Sequence, residues 1–495
     1  MSGRSLRAVV LVPGDAGDAL RAALAGCGVA VVAGADDVPG AEAAHAAEPL
    51  DLVLVGGADL LAAARSALLA DRLWAVALDL PPALELLVAP PPSLVRAASV
   101  ARWVLTPDET TRGLLDSAVP DAARRSAVLP VTGRPEALAA ALGVLLDRTF
   151  PDHPALAGRA TPLRVVVAGH ALHFLEAVLQ DWRSQPGIEL RVDEVRSFAQ
   201  HDEAASRELI AWADTIVCEW ASPVAAFYSR NKRPGQRLVV RLHRGELDSD
   251  WWRGIDAAAL DQVVTVSRYY ADRTRQVTGW PADRITVIPN YVDRAVLARP
   301  KLPGAELALG LVGAVPRRKR LDLALDVVEQ LRARDSRFTL FVKTRHAWEV
   351  PYVWREEAER AAYEEALHRV RSGRLLADGV VFDAYGGDVG SWLRKIGWVL
   401  STSDDESFHL APAEGMASGA VPVIRSWPGA DTIYDPTWIC PSTAAMVDRI
   451  AETVAGDGWT RLGRQAEEEA AASFDTAAVL ERFAAVLVGD LPPVR

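Results

Sequence analysis

The chain contains one strand–helix–strand unit twice, and this repeat constrains its fold more than any other feature. VLTPDETTRGLLDSAVPDAARRSAVLP (104–130) and VTVSRYYADRTRQVTGWPADRITVIPN (264–290) each run from a strand through a small polar residue and a helix to a strand that ends in proline. Three earlier stretches pair in the same order: RAVVLVPGDAGDAL with LRVVVAGHALHF, LDLVLVGG with ADTIVCEW, and WAVALDLPP with RLVVRLHRGEL. We interpret this as the internal duplication of an α/β lobe. Two unrelated α/β units with a common pattern are the alternative interpretation.

Apolar runs that alternate with helical patterns predict parallel, doubly wound sheets. In the first copy, the predicted strands are Ala8–Val12, Leu52–Val55, Ala75–Leu80 and Trp103–Leu105, with a helix over Ala16–Ala25. A proline-rich stretch follows at 130–162, and we place a domain boundary there. An additional Rossmann-like domain is therefore predicted at 1–150.

Composition excludes several classes of protein. The chain has 495 residues and a formal net charge of −11, which argues against a general nucleic-acid surface. Cys27, Cys218 and Cys440 lie far apart without a metal-ligand spacing, so neither a disulfide framework nor a metal site is predicted. No uncharged apolar run approaches the length of a membrane span, and MSGRSLRAVVLVPGD passes directly into a strand-like run. We expect a cytoplasmic protein.

Two acids stand around the start of one predicted helix in the C-terminal part of the chain. The run Gly397–Leu400 predicts a buried strand, and the helix is expected to start with Pro412 in its first position and to stop at Gly419. Glu406 then lies on the loop before the helix and Glu414 in its first turn. Both acids are expected to face the crevice at the strand's carboxyl end, where open α/β sheets bind ligands.

The backbone ahead of this helix suits an anion. Phe408, His409 and Leu410 carry N–H groups at the expected helix N-terminus, which attracts phosphates. With an acid on either side, the stretch suits a ligand that has both hydroxyls and phosphates. A carboxylate favoured only by the helix dipole is the alternative interpretation.

A basic loop stands out because the chain contains few lysines. A strand ends at Val312-Gly313, the run 317–320 (RRKR) follows, and apolar residues at helical spacing then predict a helix over Leu321–Leu331. A solvated turn is the usual role of such a run.

Taken together, these stretches resemble glycosyltransferase family 4, whose retaining enzymes have the two-lobed GT-B fold. The resemblance rests on the Glu-x7-Glu spacing, on the glycine and lysine of the basic loop, and on Pro-Asn-Tyr-Val-Asp at 289–293, where the family has Gly in third place. It implies an N-terminal, acceptor-side lobe at 163–300 and a C-terminal, nucleotide-sugar-binding lobe at 301–490. The fold class expected is α/β, a GT-B pair of Rossmann-like lobes preceded by the extra domain.

The resemblance assigns roles to the matching acids. Glu406 contacts hydroxyls of the transferred sugar and is placed, with His243, at the reacting carbon. Glu414 holds the ribose of the nucleotide. The N–H groups of Phe408, His409 and Leu410 bind the donor's phosphates.

The basic loop departs from the family at one position. Gly313 and Lys319 match the family's glycine and lysine, but Ala314 stands where the family has an arginine. Arg317 or Arg318 is the expected substitute, and with Lys319 it holds the diphosphate.

The second copy carries histidines that the first copy lacks. Gly169, His170 and His173 follow its first strand and are assigned to an acceptor or diphosphate loop. His243 follows a central strand, where the first copy has Asp79. The first domain is therefore expected to lack a donor site and to serve for support or for self-association.

The reaction implied is retaining glycosyl transfer from a nucleotide-diphosphate sugar to a carbohydrate or glycoside acceptor, without a metal or another cofactor. Front-face attack, with the departing phosphate accepting the proton, is the implied mechanism. A nucleotide-sugar epimerase and a non-catalytic sugar-nucleotide-binding protein are the alternatives.

Overall fold

The computed structural model describes residues 6–490, except for 79, 152, 154–155, 157–160, 186, 455–456 and the side chain of Leu84. Asp79 therefore lies outside the described residues. Within them, the strands form three six-stranded sheets, and every pair of neighbouring strands is parallel. The expectation of an α/β fold is confirmed.

The strands are β1 (Arg7–Leu11), β2 (Ala30–Val31), β3 (Leu52–Gly56), β4 (Leu73–Val76), β5 (Trp103–Thr106), β6 (Ser126–Val128), β7 (Leu163–Gly169), β8 (Ile188–Glu194), β9 (Thr215–Glu219), β10 (Arg237–Arg241), β11 (Gln262–Thr265), β12 (Ile285–Val287), β13 (Ala308–Val312), β14 (Thr339–Thr344), β15 (Val380–Ala384), β16 (Trp398–Ser401), β17 (Val421–Arg425) and β18 (Ile439–Cys440).

The α-helices are α1 (Gly14–Gly26), α2 (Val38–Ala47), α3 (Leu60–Arg65), α4 (Ala83–Val88), α5 (Pro92–Val100), α6 (Glu109–Ala118), α7 (Pro120–Ala123), α8 (Pro135–Thr149), α9 (Glu176–Ser184), α10 (Glu203–Trp212), α11 (Pro223–Asn231), α12 (Arg244–Leu247), α13 (Arg268–Thr278), α14 (Arg294–Leu297), α15 (Leu321–Arg334), α16 (Pro351–Arg355), α17 (Glu357–Ser372), α18 (Val389–Leu393), α19 (Leu410–Ala417), α20 (Thr443–Thr453), α21 (Gly458–Ser473) and α22 (Thr476–Val488).

The first two sheets have the same strand order, as a duplication requires. The order is β2-β1-β3-β4-β5-β6 in the first sheet and β8-β7-β9-β10-β11-β12 in the second. This is one of the two common doubly wound orders, and the third sheet, β15-β14-β13-β16-β17-β18, has the other, that of a classic Rossmann sheet. The internal duplication of a lobe stays a prediction.

The chain divides into two compact units, and each unit is built from segments that are not contiguous in the sequence. The first unit contains Met1–Pro151 and takes back two later segments, Arg294–Leu302 with α14 and Tyr385–Lys395 with α18. The lobe boundaries predicted from the sequence place these two segments in the later lobes instead. The second unit contains the second and third sheets.

A buried ion cluster ties the two returning segments to the first unit. Arg299 donates from Nη1 to Asp116 Oδ2 at 2.6 Å and to Ser391 Oγ at 2.7 Å, and its Nε donates to Glu109. Ser391 in turn donates to Asp116 at 2.6 Å. The Asp116 side chain is fully buried, so its charge is neutralised mainly by Arg299.

In the second unit, the last helix returns to the second sheet. Apolar side chains of α22, among them Val479, Leu480 and Phe483, share one core with Val165 and Val167 of β7. The last helix of the described structure therefore packs on the second sheet, although it follows the third sheet in the chain. The strand predicted over Ala75–Leu80 was wrong in its limits, since β4 spans Leu73–Val76.

We predict that Arg299→Met destabilises the first unit by about 3–5 kcal/mol, because it leaves the Asp116 carboxylate buried without its cation. Urea denaturation measures the loss, and hydrogen exchange assigns it to the first unit. The same substitution at exposed Arg65 is the control and is expected to change stability by about 0.5 kcal/mol or less. Equal effects at the two positions would contradict a structural role for the cluster.

Candidate functional site

The loops that follow β13 and β16 meet at the carboxyl edge of the third sheet. Thr402 donates from its hydroxyl to the carbonyl oxygen of Lys319 at 2.9 Å. The N–H of Asp404 donates to the carbonyl oxygen of Arg318 at 2.8 Å. Because these bonds join backbone to backbone or to a short side chain, they fix the basic loop against the loop that carries Glu406.

The Glu406 carboxylate is buried between two cations. Lys319 donates from Nζ to Oε1, Arg318 Nη1 lies 3.2 Å from Oε2, and Ser403 donates to Oε1 at 2.8 Å. Burial alone raises the pKa of Glu406, but the neighbouring positive charges outweigh it and hold that pKa well below its usual range. Burial lowers the pKa of Lys319, and the Glu406 carboxylate opposes that shift. Of the two arginines considered from the sequence, Arg318 is the one at this carboxylate.

His409 lies behind this cluster as a buried, neutral side chain. Burial and then the Lys319 ammonium lower the pKa of His409 to about 3. Its Nδ1 lies 2.6 Å from Ser401 Oγ, which accepts the indole N–H of Trp427 at 3.1 Å. In the described structure Nε2 is buried without a hydrogen-bond partner.

The helix after Glu406 starts earlier than the sequence suggested. It begins at Leu410, so Pro412 is its third residue, and Glu414, its fifth, lies beyond the first turn. Proline is tolerated at the third position because the first N–H groups of a helix have no acceptor within it. Glu414 is half-buried. At the other end Gly419 has φ +77° and its N–H donates to the carbonyl of Met416, which confirms it as the helix stop.

Two of the predicted phosphate-binding residues also have structural contacts. Phe408 is buried and packs its ring 5.4 Å from that of Phe474. The Tyr434 hydroxyl donates to the carbonyl oxygen of His409 at 2.7 Å. These contacts hold the backbone that leads into Leu410, the first residue of α19.

At the carboxyl edge of the second sheet, His243 belongs to a second buried ion cluster. Its Nε2 lies 2.8 Å from Glu219 Oε1, which also accepts from Arg241 Nη1 at 2.6 Å. Arg241 donates from Nη2 to Asn290 Oδ1 at 2.6 Å, so the Asn of the 289–293 motif braces the cluster. Burial raises the pKa of Glu219, but Arg241 and His243 lower it by more than burial raises it. The net effect is a lowered pKa, so the carboxylate stays ionised.

The backbone of the His243 loop is fixed by a further acid. His243 donates its N–H to Glu246 Oε1 at 3.0 Å, and Ala221 donates its N–H to the same oxygen at 3.1 Å. This oxygen joins the loops after β9 and β10, and so holds the histidine in place over Glu219.

The predicted acceptor loop lies beside the same cluster. Gly169 ends β7 so close to β9 that a Cβ there would lie 2.6 Å from the Glu219 carbonyl oxygen, which explains the glycine. His170 accepts the Trp220 indole N–H on its carbonyl oxygen at 2.7 Å. His173 is exposed, and its ring centroid lies 4.1 Å from that of Phe174.

Asp405 brings the two edges together within the second unit. It accepts from the Tyr270 hydroxyl at 3.1 Å, and its other oxygen lies 3.4 Å from Arg244 Nη1. Arg244 is the neighbour of His243, and Asp405 is the neighbour of Glu406. The two residues predicted for catalysis thus lie on loops whose adjacent side chains are in contact.

Four residues other than glycine have positive φ in the described structure, and all lie on these loops. They are Ala171 (57°), Trp220 (74°), Arg320 (55°) and His409 (55°). Such backbone costs about 1–3 kcal/mol per residue and is concentrated at functional sites. The strain therefore points to the same edge of the sheets as the ion clusters do.

Comparisons with known proteins bear on the family of one segment and on the fold. Residues 155–296 match the model of the family described as Glycosyltransferase Family 4, which confirms the predicted resemblance for that segment. No curated protein matches the chain. Among solved structures, TarM is 18% identical over 55% of this chain and 54% of its own, with a TM-score of 0.44, so the chain spans about half of TarM's length.

Two further solved structures are matched over the whole of their own chains. HepE of Anabaena in complex with UDP and glucose is 15% identical over 66% of this chain and 100% of its own, with a TM-score of 0.51. A glycosyltransferase from Rickettsia africae is 12% identical over 67% and 100%, with a TM-score of 0.50. The fold is GT-B. The second and third sheets are its two lobes, and the first sheet precedes them.

The partners of His243 in the first GT-B lobe were not predicted from the sequence. Glu219 and Arg241 are each the last residue of an apolar strand, in VCE and VVR. A charged residue inside a run that is otherwise buried indicates a buried ion pair. That signal was available, but the spatial pairing of the two strands was not.

The aspartates 404 and 405 are used for contacts between protein groups. Asp404 Oδ1 accepts from Arg320 Nη1 at 2.9 Å and from Arg425 Nη1 at 2.7 Å. Across the described residues, no three His, Cys, Asp or Glu side chains are grouped as ligands for a metal ion. Among the helices of the same residues, none has the length and apolar character needed to cross a membrane.

We predict that His409 makes stability depend on pH. Its pKa is near 3 in the folded protein and 6.5 without perturbation, so the unfolded chain binds more protons between these values. The stabilisation is complete above pH 6.5 and is lost as pH falls, by up to about 1.4 kcal/mol per pH unit.

Urea denaturation of wild type and His409→Asn between pH 5 and 6.5 measures this slope. Asparagine is the control because it tolerates positive φ and does not titrate. The window lies above the range in which Glu406 loses its charge. Equal slopes in the two proteins would show that His409 is not held neutral.

Proposed function

We propose that the protein is a retaining glycosyltransferase that transfers a sugar from a nucleotide-diphosphate sugar to a carbohydrate or glycoside acceptor. The observation that carries the proposal is the meeting of two buried ion clusters, one around Glu406 and one around His243, on facing loops of the GT-B lobes. Asp405 and Arg244, the neighbours of these two residues, are in contact.

The donor's diphosphate is proposed to bind at the basic loop. Lys319 and Arg318 hold two positive charges within reach of one carboxylate, in a site that is largely buried. The N-terminus of α19 adds backbone N–H groups. Glu414, half-buried on α19, is proposed to hold the ribose, as the family resemblance implies. HepE was crystallised with UDP, so uridine sugars are the first donors to test.

The proposed reaction does not require a covalent intermediate with a protein side chain. The bond between the anomeric carbon and the phosphate oxygen breaks through an oxocarbenium-like state, and the acceptor oxygen bonds to the same face. The acceptor's proton passes to the departing phosphate oxygen. Lys319 and Arg318 stabilise the negative charge that grows on the diphosphate, and because their loop is fixed they need no rearrangement to do so.

His243 is proposed to contact the donor sugar near the reacting carbon. Glu219 and Arg241 set its ring orientation, since Nε2 is directed at the Glu219 carboxylate. Glu406 is proposed to accept hydrogen bonds from hydroxyl groups of the transferred sugar. An epimerase or a non-catalytic binder would use the same donor contacts, so transfer to an acceptor is the measurement that separates them.

We predict that Lys319→Ala and Glu414→Ala each weaken UDP binding, by about 2–4 kcal/mol for loss of a charge-assisted contact in a desolvated site. Isothermal calorimetry on folded variants measures the affinity. Arg464→Ala and Glu468→Ala, both on the exposed face of α21, are the matched controls and should bind UDP like wild type. Wild-type affinity in both site variants would remove the donor assignment.

We also predict that the product keeps the donor's anomeric configuration and that EDTA leaves the rate nearly unchanged. The charge on the diphosphate is met by Lys319 and Arg318, which makes a metal unnecessary in this proposal. NMR of the product reads the configuration at the new linkage. An inverted linkage would refute the retaining mechanism, and strict dependence on added metal would refute the metal-free one.

A further inference from the structure

A buried tyrosine faces the backbone that leads into α19. Tyr434 is 2% exposed, and its hydroxyl lies 2.7 Å from the carbonyl oxygen of His409 and 3.3 Å from that of Phe408. Burial raises the pKa of Tyr434 well above its usual range, so the hydroxyl keeps its proton and donates it to these oxygens. Two successive carbonyl groups are thus directed at one donor.

The direction of these carbonyl groups fixes the direction of the N–H groups that follow them. A trans peptide is planar, and its N–H points away from its C=O. The N–H groups of His409 and Leu410 therefore point away from Tyr434, and neither donates to a backbone oxygen of another described residue. His409 has φ 55° and ψ 79°. Successive N–H groups around such a left-handed residue form a concave site that binds anions.

Packing keeps the Tyr434 hydroxyl in its place. The ring centroid of Tyr434 lies 6.1 Å from that of Phe408 and 5.7 Å from that of Phe474, and both phenylalanines are buried. The carbonyl oxygen of Phe474 accepts the N–H of Val292 at 2.9 Å, which fixes the backbone at Phe474. Phenylalanine at position 434 would keep this packing and remove only the hydroxyl. The hydroxyl therefore contributes direction and not bulk.

Loss of the hydroxyl would leave the two peptides free to turn. A buried carbonyl oxygen that loses its donor is costly, so the peptide would turn toward another donor. Such a turn would also let His409 leave its left-handed backbone, which costs energy in any residue other than glycine. The N–H groups of His409 and Leu410 would then change direction together with their peptides.

We propose that Tyr434 is a positioning residue for the donor's diphosphate. Its hydroxyl holds the two peptides so that the N–H groups of His409 and Leu410 face a phosphate. Lys319 and Arg318 supply charge to the same diphosphate, whereas Tyr434, buried behind the backbone, acts only through it. This inference rests on the proposed function, which it deepens by naming the residue that orients these donors.

Tyr434→Phe tests the proposal, with the binding of UDP and of uridine to the full-length protein measured by calorimetry. UDP is expected to bind about tenfold more weakly than it binds wild type, the scale of one lost hydrogen bond. Uridine is expected to bind as it binds wild type, because it lacks the phosphates that the two N–H groups would contact. A residue that only stabilised the fold would change both affinities alike or neither.

Tyr228→Phe is the matched control, because it removes the hydroxyl of another fully buried tyrosine. That hydroxyl donates to Asp193 Oδ2 at 2.6 Å, in the lobe of the second sheet. This variant should bind UDP and uridine as wild type does, and urea denaturation compares the stability of the two variants. Unchanged UDP affinity in Tyr434→Phe, or equal losses for UDP and uridine, would overturn the proposal.

NMR of wild type with isotope-labelled leucine gives a measurement that does not depend on the folding of Tyr434→Phe. The amide signal of Leu410, assigned by its absence from Leu410→Met, should shift on addition of UDP and much less on addition of uridine. An unmoved signal with UDP bound would overturn the proposal. Absence of UDP binding in wild type would instead refute the proposed function with its uridine donor, and this inference would fall with it.

Discussion

The buried carboxylate of Glu406 is the interaction on which the candidate site depends. A carboxylate that is 6% exposed is stable only with partners, and here Lys319 and Arg318 provide them. Their loop is held by hydrogen bonds to Thr402 and Asp404, which precede Glu406 on the same loop. One carboxylate on the loop after β16 thus fixes the position of two cations on the loop after β13.

In the facing lobe, the buried carboxylate of Glu219 is likewise stabilised by a cation, here Arg241. Glu219 and Arg241 are neighbours in the register of β9 and β10, and the last residues of the corresponding strands in the first sheet are Gly56 and Val76. The strand order is the same in both sheets, so the two sheets share a scaffold and differ in these charges. This difference is the physical reason to assign the chemistry to the second copy, while self-association through 1–150 stays a prediction.

Local signals and long-range contacts differed in how well they could be predicted. Strand and helix order, Gly419 as a helix stop, and the position of Lys319 beside a strand end follow from patterns within a few residues. The return of Arg299 to Asp116 joins residues far apart in the chain, and no local pattern encodes it. The start of α19 was missed because His409 adopts a left-handed backbone that only its buried surroundings stabilise.

The contacts between the GT-B lobes are of two unequal kinds. Asp405 meets Arg244 through half-exposed side chains, and such ion pairs contribute about 0–1 kcal/mol. In α22, Leu480 and Phe483 are buried against the second sheet, where each side chain contributes about 1.5–3 kcal/mol. Any separation of the lobes therefore breaks the polar contact beside the predicted catalytic residues first and keeps α22 in place. The weak contact is the one that lies beside Glu406 and His243, where a donor and an acceptor have to enter.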